Sequence, residues 1–183
     1  MDFSLSSLNI DAPLIYLIVL IALLAGASFF VVRQVIKTRN SEVKLLDLQV
    51  KISKGKASSY DYYQLGSLLL DKKLFAQASR ELQKALKSKD LESGEPAALV
   101  YNALGYAYAA QEQYDLAIRH YKDALKQKPD YVTALNNLGF SYERKQLTTQ
   151  ALQAYEQALE LAPDNTTAQK RAESMRKRII PAS

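Results

Sequence analysis

The chain contains no cysteine. That one absence excludes disulfides, thiolate metal sites, iron–sulfur clusters and a cysteine nucleophile together. Five prolines and six glycines in 183 residues are too few for a sandwich or barrel with many tight turns. They suit long helices joined by brief connections, and the class expected is all-α. There is one histidine, His120, between Arg119 and Tyr121, and the sequence offers it no partners for general-base chemistry or metal ligation. No phosphate-binding glycine loop is present, because the glycines that follow leucine fall inside helical patterns and not after a strand. The acidic residues are scattered at the spacing of solvated helix surfaces. These absences point away from an enzyme; no cofactor, metal or small-molecule substrate is expected.

Charge of one sign is missing where nucleic-acid binding would need it. The net charge is +5, but residues 59–165 carry twelve basic and fourteen acidic groups. The excess positive charge lies in two flanking stretches, with seven Lys or Arg against two acids over 33–58 and five against one over 166–183. A nucleic-acid binder would place a basic stripe on its folded part. A membrane surface accounts for this distribution better.

What the sequence does have begins with an uncharged run from Ala12 to Val32, mostly Leu, Ile, Val, Ala and Phe. As a helix it is about 30 Å long, the thickness of a bilayer's hydrocarbon core. Ala25-Gly26-Ala27 resembles a signal-peptidase site, but the preceding residues are acidic and the run is too long for a signal peptide's apolar region. A single-pass anchor over 12–33 is expected, after a short acidic N-terminus over 1–11. Asp2 and Asp11 precede it; Arg33, Lys37, Arg39 and Lys44 follow, which predicts an external or lumenal N-terminus and a cytoplasmic or stromal remainder. Ala22 and Gly26 are a small-xxx-small pair of the kind common in any Ala-rich span. The basic linker over 34–58 carries two apolar subsets, Val43, Leu46, Val50 and Leu45, Leu48, Ile52. A helix of about a dozen residues is expected there, with Val43, Leu46 and Val50 on one face, ending at Gly55.

Self-similarity then organises the rest. Leu65-Gly66, Leu104-Gly105 and Leu138-Gly139 recur at gaps of 39 and 34 residues. Twelve residues after each glycine comes Ala78, Ala117 or Ala151, and four further on Leu82, Tyr121 or Tyr155. The pairs Ala85-Leu86, Ala124-Leu125 and Ala158-Leu159 follow, and Pro129 and Pro163 close the second and third copies where the first has Asp90. The longer first gap is assigned to an insertion at Leu91–Glu95. Glycine in a helix costs about 1 kcal/mol relative to alanine, so its return in each copy implies close approach of a second helix. Leu69, Tyr108 and Tyr142, one turn after each glycine, would fill the space between the helices.

These residues at these offsets resemble the tetratricopeptide repeat, a helix–turn–helix of about 34 residues. The departures are Tyr62, Tyr101 and Leu135 where that family favours tryptophan, and Thr148 where the other copies have Phe75 and Tyr114. The resemblance implies an α-solenoid of three repeats at 59–92, 98–131 and 132–165. A capping helix from about Thr166 to Arg178, with an apolar stripe at Ala168, Ala172 and Met175, and a basic tail complete 166–183. It also implies a groove lined by the first helix of each repeat, which binds protein partners. The face adjacent to the packed positions presents Tyr60, Tyr63, Ser67 and Leu70, then Leu99, Asn102, Tyr106 and Ala109, then Thr133, Asn136, Phe140, Glu143 and Arg144. Rings supply apolar area and amides can bond a partner's backbone. Arg144 is the one groove cation, too few for a clamp on a chaperone's C-terminal carboxylate.

The full layout, with Tyr62-Tyr63-Gln64-Leu65-Gly66 and Lys73-Leu74-Phe75-Ala76-Gln77-Ala78, looks like the cyanobacterial and plastid tetratricopeptide family that assists photosystem I assembly. That resemblance implies a thylakoid location and photosystem I subunits or assembly intermediates as partners. A general membrane-tethered adaptor or co-chaperone receptor in secretion or envelope assembly is the alternative.

Overall fold

The computed structural model describes residues 12–179. The expected acidic N-terminus and the last residues of the basic tail lie outside the described residues. Every element among the described residues is a helix, and the order is α1 (Ala12–Ser53), α2 (Ser59–Asp71), α3 (Phe75–Lys87), α4 (Glu95–Ala109), α5 (Tyr114–Gln127), α6 (Val132–Arg144), α7 (Thr148–Leu161) and α8 (Thr166–Ile179). The chain divides into two units, Met1–Lys44 and Leu45–Ser183.

In the first unit, α1 is long and apolar enough to cross a membrane by length and composition. Its described side chains from Pro13 to Ile36 are exposed, including Leu14, Leu24, Phe29 and Val32. The linker expectation is corrected here. No separate juxtamembrane helix forms, because no proline or glycine stands between Arg33 and Ser53 to interrupt the first. The break comes at Gly55, at φ 66°, where Gly55 N–H donates to the Ile52 carbonyl and Lys56 N–H to the Lys51 carbonyl, a left-handed helix stop.

In the second unit the last turns of α1 supply the first layer. The side buried there is Leu45, Leu48 and Ile52, packed on Leu65, Leu69 and Ala78. Val43, Leu46 and Val50, the other apolar subset, are exposed. Both subsets have helical spacing, so periodicity alone did not separate them. Ser58 caps α2 in a reciprocal box with Asp61, and Lys51 reaches the same carboxylate at 3.4 Å.

Each repeat is then a pair of antiparallel helices, α2 with α3, α4 with α5, α6 with α7. A Cβ built on Gly66 would lie 2.6 Å from Leu82, on Gly105 2.6 Å from Tyr121, and on Gly139 2.7 Å from Tyr155. The expected close approach is therefore real, and Ala78, Ala117 and Ala151 are fully buried beside it. The turn inside each pair places Lys73, Glu112 or Gln146 at φ near 60°. The next residue's N–H bonds back five residues, as Leu74 does to Leu69, Gln113 to Tyr108 and Leu147 to Tyr142.

Connections between repeats run over 88–94 and 128–131, and 162–165 leads from the third repeat to α8. The five-residue surplus is shared between a longer first connection and an earlier start of α4, so Glu95 is helical and not part of the linker. Asn165 caps α8 by accepting from Ala168 N–H, and Ala168, Ala172 and Met175 are buried against α7 as the apolar stripe predicted.

Candidate functional site

The first helices of the three repeats, α2, α4 and α6, line one face of the array, and between them lies a cleft of about 610 Å³. The register that buries Leu65 and Leu104 turns Tyr63 and Asn102, two residues before them, and Ser67 and Tyr106, one after the glycines, toward this cleft. Tyr63, Ser67 and Leu70 of α2, Asn102 and Tyr106 of α4 and Thr133 of α6 line it, all of them groove residues by sequence.

The remaining predicted residues sit elsewhere. Tyr60 and Leu99 line a smaller apolar cavity of about 190 Å³, with Tyr63 as its common wall with the cleft. Ala109 is buried because Ala117 and Tyr121 of α5, Leu138 of α6 and Ala154 of α7 close around it; its assignment to the groove is corrected. Asn136 is half-buried, and its amide oxygen has no hydrogen-bond partner in the protein. Glu143 accepts two 3.1 Å bonds from Arg171 of α8 and one from the Tyr155 hydroxyl, and lies 3.6 Å from Arg178. Arg171 also covers the Phe140 ring at 5.9 Å. Arg144 leaves the groove for the neighbouring turn, 3.8 Å from Glu112 and over the Tyr114 ring. The third repeat thus gives Phe140 and Glu143 to the contact with α8, where a further repeat would otherwise stand.

Five lining residues escaped the sequence reading: Asp71, Lys73, Phe75, Ala103 and Asn137. Ala103 and Asn137 each precede the Leu-Gly pair, one step round the helix from the positions chosen. Asp71, Lys73 and Phe75 come from the end of α2, the turn after it and the first residue of α3, where helical periodicity carries little information. The lone cation of the cleft is consequently Lys73 and not Arg144.

The polar floor is an amide pair. Asn137 donates to the Asn102 side-chain oxygen at 3.0 Å, and Asn102 donates to the Tyr131 hydroxyl at 3.3 Å. This fixes both amides while leaving the Asn137 oxygen and one of its N–H groups for a ligand. Phe75 meets Tyr106 edge to face with centroids 6.3 Å apart, and Tyr106 remains 47% exposed. The cleft therefore combines aromatic rings, an amide pair and balanced charge from Asp71 and Lys73.

His120 stands apart. It is stacked between Tyr101 and Tyr108, at 6.1 and 5.4 Å, and Gln83 donates to the Tyr108 hydroxyl. Burial lowers its pKa, Asp123 opposes that shift and Arg119 adds to it. Among the described residues no group of three or more His, Cys, Asp or Glu side chains is placed to hold a metal ion.

Comparison with known proteins agrees with this geometry. Tetratricopeptide-repeat models match residues 62–90 and 132–165, and a TPR-repeat model matches 105–146. The ycf37 protein of Cyanophora paradoxa is 42% identical over 105 residues, 57% of this chain and 60% of that protein. The chloroplastic tetratricopeptide repeat domain-containing protein PYG7 of Arabidopsis thaliana is 36% identical over 128 residues, 70% of this chain and 42% of its own length. The ycf37 protein of Guillardia theta is 34% identical, covering 67% of this chain and 69% of that protein. The chain thus spans less than two thirds of each of the first two relatives. Among solved structures, MamA superposes with a TM-score of 0.68 at 19% identity, over 74% of this chain and 76% of its own. The first TPR domain of Spaghetti (RPAP3), bound to an HSP90 peptide, superposes at 0.62 and 16% identity, over 67% and 93%. At those identities the likeness is one of fold.

Proposed function

The chain belongs to the tetratricopeptide-repeat family that includes the ycf37 proteins, and from that premise we propose that it is a membrane-anchored scaffold that assists photosystem I assembly at the thylakoid. The observation that carries the scaffold reading is the cleft, whose rings and fixed amides present hydrogen-bonding groups and apolar area without a reactive constellation beside them. The photosystem reading is supported by the sequence resemblance and by a chloroplastic relative. The anchor reading is supported by the exposed apolar side chains of α1 and the basic residues that follow them. On that reading the N-terminus is lumenal and the repeats face the cytoplasm or stroma.

Tethering is the mechanism. A partner already in the same membrane meets the cleft at high effective concentration, so modest affinity suffices and release after assembly is easy. Deleting residues 1–33 then removes function while leaving the repeats folded; full complementation by the truncated chain would refute tethering.

The direct test is affinity purification of tagged full-length protein from mildly solubilised photosynthetic membranes, with mass spectrometry of the partners. Photosystem I subunits should co-purify and be lost when Tyr63, Asn102 and Tyr106, which line the cleft, are replaced by alanine. A chaperone or secretion component in their place would retire the photosystem reading and favour the adaptor. Binding by a co-chaperone would prefer free acidic C-termini, a chemistry for which Lys73 is the one cation lining the cleft.

A further inference from the structure

The connection between the first two repeats is the longest in the array, and it is pinned along its length. Asp90 accepts from both the backbone and the hydroxyl of Ser59 at 2.9 and 3.0 Å. Gly94 N–H donates to the Gln127 side chain at 2.9 Å, and Lys128 holds Glu95 at 2.7 Å. Leu91 at the same time turns inward onto the core of the first two repeats. The result is a preformed wall. Between it and the starts of α2 and α4 lies the cavity of about 190 Å³, lined chiefly by Tyr60, Tyr63, Leu91, Pro96, Leu99 and Val100.

Resting on the reading that the cleft holds a segment of a partner, we propose that this cavity is its anchor subsite, taking one large apolar side chain (Leu, Ile, Met or Phe) from an extended partner segment. Three observations commit the site to that occupant. Its lining is almost wholly carbon, so a polar or charged side chain would lose its hydration there without compensation. Its volume suits one side chain and not a helix. The Tyr63 ring is shared with the cleft, so a chain that places a side chain in the cavity continues beside Asn102, Asn137 and Thr133. Because hydrogen bonds and an ion pair already hold the wall, little ordering cost falls on binding. This subsite owes its existence to the inserted residues, and the later boundaries, with connections over 128–131 and 162–165, lack the insert.

Detergent-solubilised full-length protein, panned against a random linear peptide library displayed on phage, tests the assignment. Selected peptides should share an apolar residue at one position. Replacing that residue by alanine, or filling the cavity with Leu99→Trp, should weaken binding roughly 10- to 100-fold, the worth of burying one large apolar side chain. The two changes together should cost no more than either alone. Leu99→Asn, which makes the wall polar at similar size, serves if Leu99→Trp disturbs the far-UV circular dichroism. Peptides that bind with no apolar position, and that respond to Tyr106→Ala but not to either Leu99 variant, overturn the anchor while the cleft reading stands. Peptides sensitive to the Leu99 variants alone support the anchor and overturn the cleft. No selected peptide at all overturns both.

Discussion

Leu48→Ala perturbs the layer that joins α1 to the first repeat. Leu48 is 2% exposed and lies among Leu65, Leu69 and Ala78. The change removes three carbons, worth about 2.4 kcal/mol at about 0.8 kcal/mol each, and a cavity term can carry such losses to about 5 kcal/mol. A crevice of about 250 Å³ already borders this contact, lined in part by Ile52, Leu65 and Leu69, so its neighbours have room to relax. The loss should therefore fall at about 2–3 kcal/mol. Leu46, two residues away and 59% exposed, should tolerate alanine within about 0.5 kcal/mol. In thermal unfolding of the full-length protein, followed by far-UV circular dichroism in detergent, Leu48→Ala should lower the midpoint by roughly 5–10 °C and Leu46→Ala should leave it unchanged. Repeats contact only their neighbours, so faster hydrogen exchange should concentrate in α2 and α3 and spare α7 and α8. Equal losses at the two positions, or exchange raised evenly along the array, would refute the assignment of the inward face.

Gly105→Ala should destabilise by about 1–2 kcal/mol in chemical denaturation, because the new methyl lands 2.6 Å from the Tyr121 ring, which is 1% exposed and has nowhere to go. The overpacking exceeds the gain of about 1 kcal/mol in helix propensity, and a stabilised variant would contradict this. Gln146→Gly should instead stabilise by about 0.5–1 kcal/mol, since Gln146 holds φ 61°, a conformation costly for any residue with a Cβ; a loss in the same denaturation measurement would show that its side chain matters more than its backbone. His120, whose pKa lies below its ordinary 6.5, binds fewer protons folded than unfolded in the window between the two values. Its contribution is present above that ordinary value and is lost as pH falls through the lowered one. His120→Phe keeps a ring between Tyr101 and Tyr108 and should flatten stability against pH between about 7.5 and about 5; an unchanged slope would assign the dependence to other groups.

Part of the cleft's lining was legible because repetition is its own control. Tyr63, Asn102 and Tyr106 were placed in the groove by offset from Leu-Gly pairs, and the cleft has them. Ala109 failed by the same rule, because an offset valid at Leu70 points into the core once α5 and α7 crowd that turn. Glu143, Phe140 and Arg144 kept their place on the helix but not their availability, since Arg171, Glu112 and Tyr114 hold them. Lys73 was invisible because a turn residue has no period to betray its direction, and Phe75 because it opens α3, the second helix of its repeat, whereas the groove was read from the first helices.

The repeat itself needed nothing beyond the chain's own order of residues. Gly66, Gly105 and Gly139, with Leu82, Tyr121 and Tyr155 sixteen residues later, specify which helices touch and where, because only hydrogen at the crossing leaves room for the large side chain. The length and composition of the apolar run likewise follow from local residues. Tertiary structure alone decided which of two equally periodic faces of α1 is buried, that Lys73, Glu112 and Gln146 turn left-handed without glycine, and that Asn102 pairs with Asn137. Each of those outcomes depends on a neighbour distant in sequence or on backbone hydrogen bonds that outweigh local preference, and no local pattern encodes either.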